Sequence, residues 1–380
     1  MKIIIAIDSF KGCLSSSEAA EAAAKGITAE WPDINVIRIP IADGGEGTID
    51  AFLNEKGSRK IAAMVHNQLM EPMMAEYGVL PNGTTAVIEM AAANGLELVP
   101  IAQRDIMNMT TFGTGEMIAD AIRRGCRHFI LGAGGSGTCD AGFGMLQALG
   151  FRFYDKNKRL ISSPITGNLL NEISNIDEEK TIPELEECNF KVAADVTNPF
   201  CGKYGAAFVF ARQKGAGAIE IDLLEKGLRN IVRLTTEKKR INIASLQGAG
   251  AGGGFAGGCA AYLGAKITSG IDIVLQHHHY DILIDNTLFV LTGEGRIDSQ
   301  TVGGKVVSGI AQATFKRGIP VFAIAGDVNL SHEDFPKGLT AVFPIQPSPV
   351  PYAKAITKDF AADQIARTAG QICRIFKPGI

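Results

Sequence analysis

Five short apolar runs constrain this chain most: residues 2–7 (KIIIAI), 34–39 (INVIRI), 287–291 (TLFVL), 320–325 (PVFAIA) and 340–343 (TAVF). Runs this apolar, without a polar residue at every second place, fit strands covered on both faces, as in a parallel sheet. The first empties into Asp8-Ser9-Phe10-Lys11-Gly12, and Ser15–Ser17 with Glu18 then opens an alanine-rich helix. The second empties into Asp43-Gly-Gly-Glu46-Gly47. The third is expected to turn at Thr292 and present Glu294, Arg296, Asp298 and Lys305 on a glycine-punctuated loop before another helix. Right-handed crossovers place the carboxyl ends of such strands on one rim, where open α/β sheets bind ligands.

Between the second and third runs the pattern changes. Residues 61–90 read as strands joined by turns at Glu71-Pro72 and Pro81-Asn82-Gly83, a meander. A helix over about 110–124 and a strand at 129–131 follow, leading into Gly132-Ala-Gly-Gly-Ser136-Gly-Thr138-Cys-Asp140. A strand over 191–196 ends in Asp195-Val-Thr-Asn198-Pro, and a glycine run over 248–258 leads a small-residue helix. The expected fold is therefore α/β with two domains. Residues 1–65 and 286–380 form a flavodoxin/Rossmann-like parallel-sheet domain, interrupted by an inserted mixed α/β domain over 66–285, with the active site in the cleft between them. With the first strand central, the third lies beside it at the switch point.

Composition removes whole classes of function. A net charge of −3 with 20% charged residues offers no basic field for nucleic acid or anionic membrane. No apolar stretch approaches the ~18 residues of a membrane span, and Ile3–Ile7 is too short for a secretion signal. Seven scattered cysteines without a C-x-x-C indicate reduced thiols and a cytoplasmic setting. The expected partners are small molecules, and a homo-oligomer is left open. The His277-His278-His279 run lacks the i, i+4 spacing of a zincin helix.

Carboxylates, a few lysines and glycine-lined turns are what magnesium–nucleotide chemistry requires. Mg²⁺ takes oxygen ligands, one acid can accept a hydroxyl proton, and cations stabilise the transferred phosphoryl group. Each residue also has an ordinary role open to it. Asp8 can cap the first helix, Asp195 and Asn198 can make an Asx turn, and Ser136 and Thr138 can cap a helix from Asp140. A rival reading rests on Gly132, Gly134 and Gly137, which satisfy G-x-G-x-x-G with Asp155 about 20 residues on, the fingerprint of a nicotinamide enzyme acting on a small hydroxy acid. A Walker A loop is absent, since Gly304-Lys305 is followed by Val306 and position 299 is Ser.

The blocks D-S-F-K-G (8–12), I-A-D-G-G-E-G-T (41–48), G-G-S-x-T-x-D-x-G (134–142), D-V-x-N-P (195–199) and T-G-E-G-R-x-D-x-Q-T (292–301), in this order, resemble the bacterial glycerate kinase family, type I. Cys13, Gly137, Cys139 and Thr197 depart from its usual residues. The resemblance implies ATP-dependent phosphorylation of D-glycerate, usually at the 2-hydroxyl, with Mg²⁺. It points to Asp8, Lys11, Asp195, Glu294 and Lys305 as catalytic residues. Glu294 or Asp298 would serve the metal, Lys11 and Lys305 the phosphates or the glycerate carboxylate, and Asp195 or Asp8 the hydroxyl proton. Ser9, Asp43, Glu46, Gly135, Ser136, Thr138, Asn198 and Arg296 form the expected substrate-binding set.

Overall fold

The computed structural model describes residues 1–41, 48–53, 55–298, 301, 306–331 and 335–378. The chain divides into two units: Met1–Asp43 with Gly270–Ile380, and the continuous segment Gly44–Ser269. Both divisions precede the expected ones. On entry, Arg59–His66 pairs along its whole length with Pro72–Val79, so it belongs to the inserted sheet. On exit, helices Gly270–His277 and Tyr280–Leu283 belong to the flanking unit. Tyr280 hydroxyl bonds Thr314 Oγ1 at 2.7 Å, and a Cβ on Gly309 would stand 2.7 Å from Ile271.

In the flanking unit, strands β1 (Lys2–Ile7) and β2 (Asn35–Arg38) are joined, past eight strands of the insertion, by β11 (Thr287–Asp298), β12 (Val321–Asn329) and β13 (Ala341–Pro344). All pairings are parallel, and the order is β13-β12-β11-β1-β2. Counted within the unit this is 2-1-3-4-5, the flavodoxin-like order. Ile3 to Ile7 expose no surface, which is why their sequence shows no alternation. Ile3, Ile5 and Ile7 pack against helices Ser16–Glu30 and Lys358–Phe376, while helix Val306–Phe315 also lies on the sheet. The two long helices touch where Gly26 meets Ala366; a Cβ there would stand 1.9 Å from the Ala366 carbonyl oxygen.

Helix Ser16–Glu30 starts with a capping box: Glu18 N–H donates to Ser15 Oγ, and Ser15 N–H donates to the Glu18 carboxylate. Lys358, also bonded to that carboxylate, together with Ser15 holds Glu18 down to about 2. Ser15→Ala is expected to cost about 1 kcal/mol in a urea titration, the usual worth of such a cap. Because the Glu18 carboxyl is depressed, its part is present above its ordinary value of 4.5 and fades as pH falls toward about 2.

In the inserted unit, β3 (Arg59–His66), β4 (Pro72–Val79), β5 (Thr85–Glu89), β6 (His128–Gly132), β9 (Asn189–Ala193) and β10 (Lys266–Thr268) form a mixed sheet in the order β10-β9-β6-β5-β4-β3. β3, β4 and β5 are the antiparallel meander, whereas β5, β6, β9 and β10 are parallel. β7 (Arg152–Asp155) and β8 (Ile173–Asp177) pair separately. Among the described residues no helix is long and apolar enough to cross a membrane.

Candidate functional site

The described members of the expected site lie within or just past strands of both units, and each unit is built on its own. Asp43, Glu46 and Lys305 lie outside the described residues. In the flanking unit, Ile7 pairs with Gly293, and the Asp8 N–H donates to Gly293 O at 2.8 Å. Asp8 and Glu294 each follow that last pair, so the parallel register sends both side chains to the same face of the sheet. Asp8 is buried, and its Oδ1 accepts the Ser9 N–H at 2.6 Å, a tight local turn rather than a helix cap. The cap is Ser15. Phe10 and Leu14 exchange backbone bonds of 2.8 and 3.0 Å around Gly12, whose φ of +74° suits a residue without Cβ, and Lys11 stands exposed on this turn. Ser16 Oγ donates to Ile7 O at 2.6 Å and accepts the Ile41 N–H at 3.1 Å, fastening the exits of β1 and β2 together.

The acidic stretch after Thr292 is strand, not loop. β11 continues to Asp298 because β12 also runs on, pairing Glu294 with Ala325, Arg296 with Asp327 and Asp298 with Asn329. The Phe10 turn packs against Gly295, where a Cβ would stand at ordinary contact distance, 3.5 Å from Phe10 Cα. Alternation then puts Glu294, Arg296 and Asp298 on one face. Glu294 Oε1 accepts from Thr301 Oγ1 at 2.9 Å, and Thr301 Oγ1 accepts the Asp298 N–H at 3.2 Å, so one hydroxyl ties the Glu294 carboxylate to the backbone at Asp298. Arg296 Nε lies 3.3 Å from Asp298 and 3.4 Å from Asp327. With Arg296 58% exposed, these ion pairs are worth under about 1 kcal/mol, and the guanidinium offsets the charge of Asp298. Of the two expected metal carboxylates, Glu294 is the one aligned through its own oxygen by the Thr301 hydroxyl. Hard oxygen donors on a fixed strand suit Mg²⁺, which needs only one or two protein carboxylates.

In the inserted unit, Gly132 of β6 pairs with Ala193 of β9, and the Ala133 N–H donates to Ala193 O at 3.2 Å. The turn of Gly134 and Gly135 and the half-buried Asp195 therefore leave neighbouring strands at one level. Gly135, exposed with φ +68°, forms the crest. Ser136 and Thr138 do not cap the following helix, which begins only at Phe143. Instead the Lys214 ammonium, buried to 3% exposure, donates to Ser136 Oγ at 2.7 Å and to Thr138 O at 2.8 Å. Burial brings Lys214 down to about 8. Thr138 exposes no surface, and the Gly137 N–H is taken by Asn94 O at 2.8 Å, so both support the turn from beneath. Asn198 is likewise a clasp: its Nδ2 donates to Tyr204 O at 2.9 Å, and its carbonyl accepts the Gly250 N–H at 3.0 Å.

Asp140, fully buried, accepts from Thr111 N–H and Oγ1, both at 2.7 Å, and from the Gly142 and Gly144 N–H groups, both at 3.2 Å. Burial pushes its carboxyl up against the pull of these four donors. It joins the start of helix Phe112–Arg123 to that of Phe143–Ala148 and is structural. Sequence reasoning marks neither Asp140 nor Lys214 as a site residue. Lys214 carries a faint signal, since it lies between Ala211 and Ala216 on a turn closed by left-handed Gly215 (φ +104°).

Neither dinucleotide-like glycine cluster has the geometry of a cofactor loop. No helix starts at Gly137, and Asp155 lies on the separate β7–β8 pair instead of a strand adjoining β6. The second cluster is a packing device: a Cβ on Gly250 would stand 2.4 Å from Pro199 O, and one on Gly253 2.2 Å from Thr138 O. These glycines bring the chain against the two site loops, leaving no room for a pyrophosphate. The described cysteines are all free, and burial pushes Cys139 beside the site up to about 12, leaving it inert.

Among the described residues, the acidic side chains beside the β1–β11 pairing and the glycine-rich turn after β6, with no nicotinamide fingerprint in working geometry, fit an α/β enzyme of the small-molecule kinase class. The model of the "Glycerate kinase family" matches residues 3–377. The glycerate kinase of Bacillus subtilis (strain 168) is 40% identical over 378 residues, covering 99% of this chain and 98% of its own length. The glycerate 2-kinase of Escherichia coli (strain K12) is 42% identical over 349 residues, covering 91% and 90%. The crystal structure of a putative glycerate kinase 2 from Salmonella typhimurium LT2 superposes with a TM-score of 0.87 at 39% identity, covering 99% of this chain and 98% of that one. The chain belongs to the glycerate kinase family.

Proposed function

We propose that the protein transfers the γ-phosphoryl group of ATP to the 2-hydroxyl of D-glycerate, giving 2-phosphoglycerate and ADP, with Mg²⁺. The observation that carries this reading is the placement of Asp8 and Glu294, each the residue after the last β1–β11 pair Ile7–Gly293, on adjoining parallel strands at the switch point, where an α/β sheet receives a phosphorylated ligand. Glu294, or Asp298 further along the same face of β11, would hold the metal, which would supply positive charge to the transferred phosphates. Lys11, and Lys305 outside the described residues, face the phosphates; Asp43, Glu46, Ser9 and Arg296 complete the polar surround. Asp195 accepts the proton as the glycerate oxygen bonds to the γ-phosphorus and the bond to the ADP oxygen breaks. Gly135 and Ser136 receive the glycerate carboxylate on an exposed amide turn and a hydroxyl.

The test is ADP release with D-glycerate, tartronate, hydroxypyruvate and glycolate in parallel, the product being assigned by phosphorus NMR. D-glycerate is expected to be turned over well ahead of the others, with one resonance, that of the 2-phosphate. No ADP release with D-glycerate, together with a fluorescence shift on titrating NADH, would overturn the reading in favour of a nicotinamide enzyme.

A further inference from the structure

A buried lysine that touches neither a carboxylate nor solvent must have a purpose that outweighs its desolvation. Lys214 is such a residue: its two bonds go to Ser136 Oγ and Thr138 O, on the turn after β6. An ammonium has three donors and no acceptor, so Ser136 Oγ can only accept from it, and the serine's own hydrogen must then point to something else. We propose that Lys214 is a positioning residue for glycerate, fixing Ser136 so that its O–H donates to the substrate carboxylate. This rests on the glycerate reading above.

The arrangement makes the donor conditional on charge. A neutral amine has a lone pair, and Ser136 can then turn its hydrogen back onto Lys214 and withdraw it from the substrate. The groups acting on the ammonium through space are Cys139 and Asp140, both on the loop below it and both favouring the charged form, while burial opposes them. The side chain of Arg104 packs on Gly215, and its Nε is engaged by Val99 O at 3.2 Å. Arg212, on the same turn, is exposed. With Lys214 lowered to about 8, the charged form is present below that pH and lost above it. The glycerate KM should accordingly rise with pH above about 8, whereas the carboxylate of glycerate stays ionised throughout.

The experiment is glycerate KM and kcat between about pH 6.5 and 9.5 for the wild-type enzyme, Ser136→Ala, Lys214→Met, Lys214→Arg and the Ser136→Ala/Lys214→Met double variant, with melting curves for each. In the wild type, KM for glycerate is expected to climb toward tenfold per pH unit above about 8 while KM for ATP stays level. Ser136→Ala is expected to raise KM by about 10–100-fold, the worth of one bond to a charged group, and to flatten the profile. Lys214→Arg, always charged, should also be flat and retain more of the affinity than Lys214→Met. The double variant should be no worse than the poorer single one, because the two residues act as one device. A rise above pH 8 that persists in Ser136→Ala, or single effects that multiply, would overturn the inference. If Lys214→Met does not fold, the Ser136→Ala profile alone decides. Glycerate turnover by the wild type with a pH-independent KM sinks this inference only; absence of turnover sinks the proposed function.

Discussion

Glu294→Gln is expected to lower kcat for glycerate phosphorylation by about a thousandfold while the melting temperature stays within a few degrees of wild type. The substitution keeps the shape and the bond from Thr301 Oγ1, 2.9 Å away, but removes the negative charge that holds the metal. Charge placed ahead of time where a transition state develops it is worth about 10²–10³ per donor in other enzymes, and loss of metal positioning exceeds that. The strand itself should survive. Its backbone is held by pairing to β12, and Glu294 is only half-buried. Steady-state ADP release together with circular dichroism checks both halves of the expectation. Turnover near that of wild type would remove Glu294 from the reaction.

The largest loss of stability is expected from Asp140→Ala, at about 3–5 kcal/mol. The alanine leaves the Thr111 N–H and hydroxyl and the Gly142 and Gly144 N–H groups without their common acceptor in a fully buried place. Each stranded donor costs about 1–3 kcal/mol, with some recovered by relaxation. For a unit of this size that corresponds to a melting point lower by roughly 10 °C, read by calorimetry as an early transition. The flanking unit, which has its own core around Ile3, Ile5 and Leu291, should hold its transition where it is. A variant that melts with wild type would mean that the four donors find other acceptors.

Where the sequence can be read correctly, hydrophobicity decides the structure. Ile3–Ile7 and Phe289–Leu291 are buried on both faces, so their composition announces parallel strands and their neighbours. The extension of β11 is hidden because Gly293-Glu294-Gly295-Arg296 has the residues of a turn; only pairing to an equally polar stretch of β12, Gly326–Asn329, makes it strand. The unit boundaries are displaced for a similar reason: Arg59–His66 carries no mark of which sheet it will join until its partner Pro72–Val79 is known. Lys214 escapes notice since its burial depends on Ser136 and Thr138, about 76–78 residues earlier in the chain. The glycine run at 248–258 imitates a nucleotide loop because close approach to backbone and close approach to phosphate demand the same residue.

The insertion of one unit into the other also sets an order of events at the ribosome. Lys2 of β1 must wait for Thr287 of β11, and at ~5–20 residues per second that delay is on the order of tens of seconds. The segment Gly44–Ser269 is contiguous and emerges whole before its host sheet can close. The nascent protein therefore carries an apolar amino-terminal strand with one side unpaired through most of its synthesis, a period in which holdase chaperones have an obvious client.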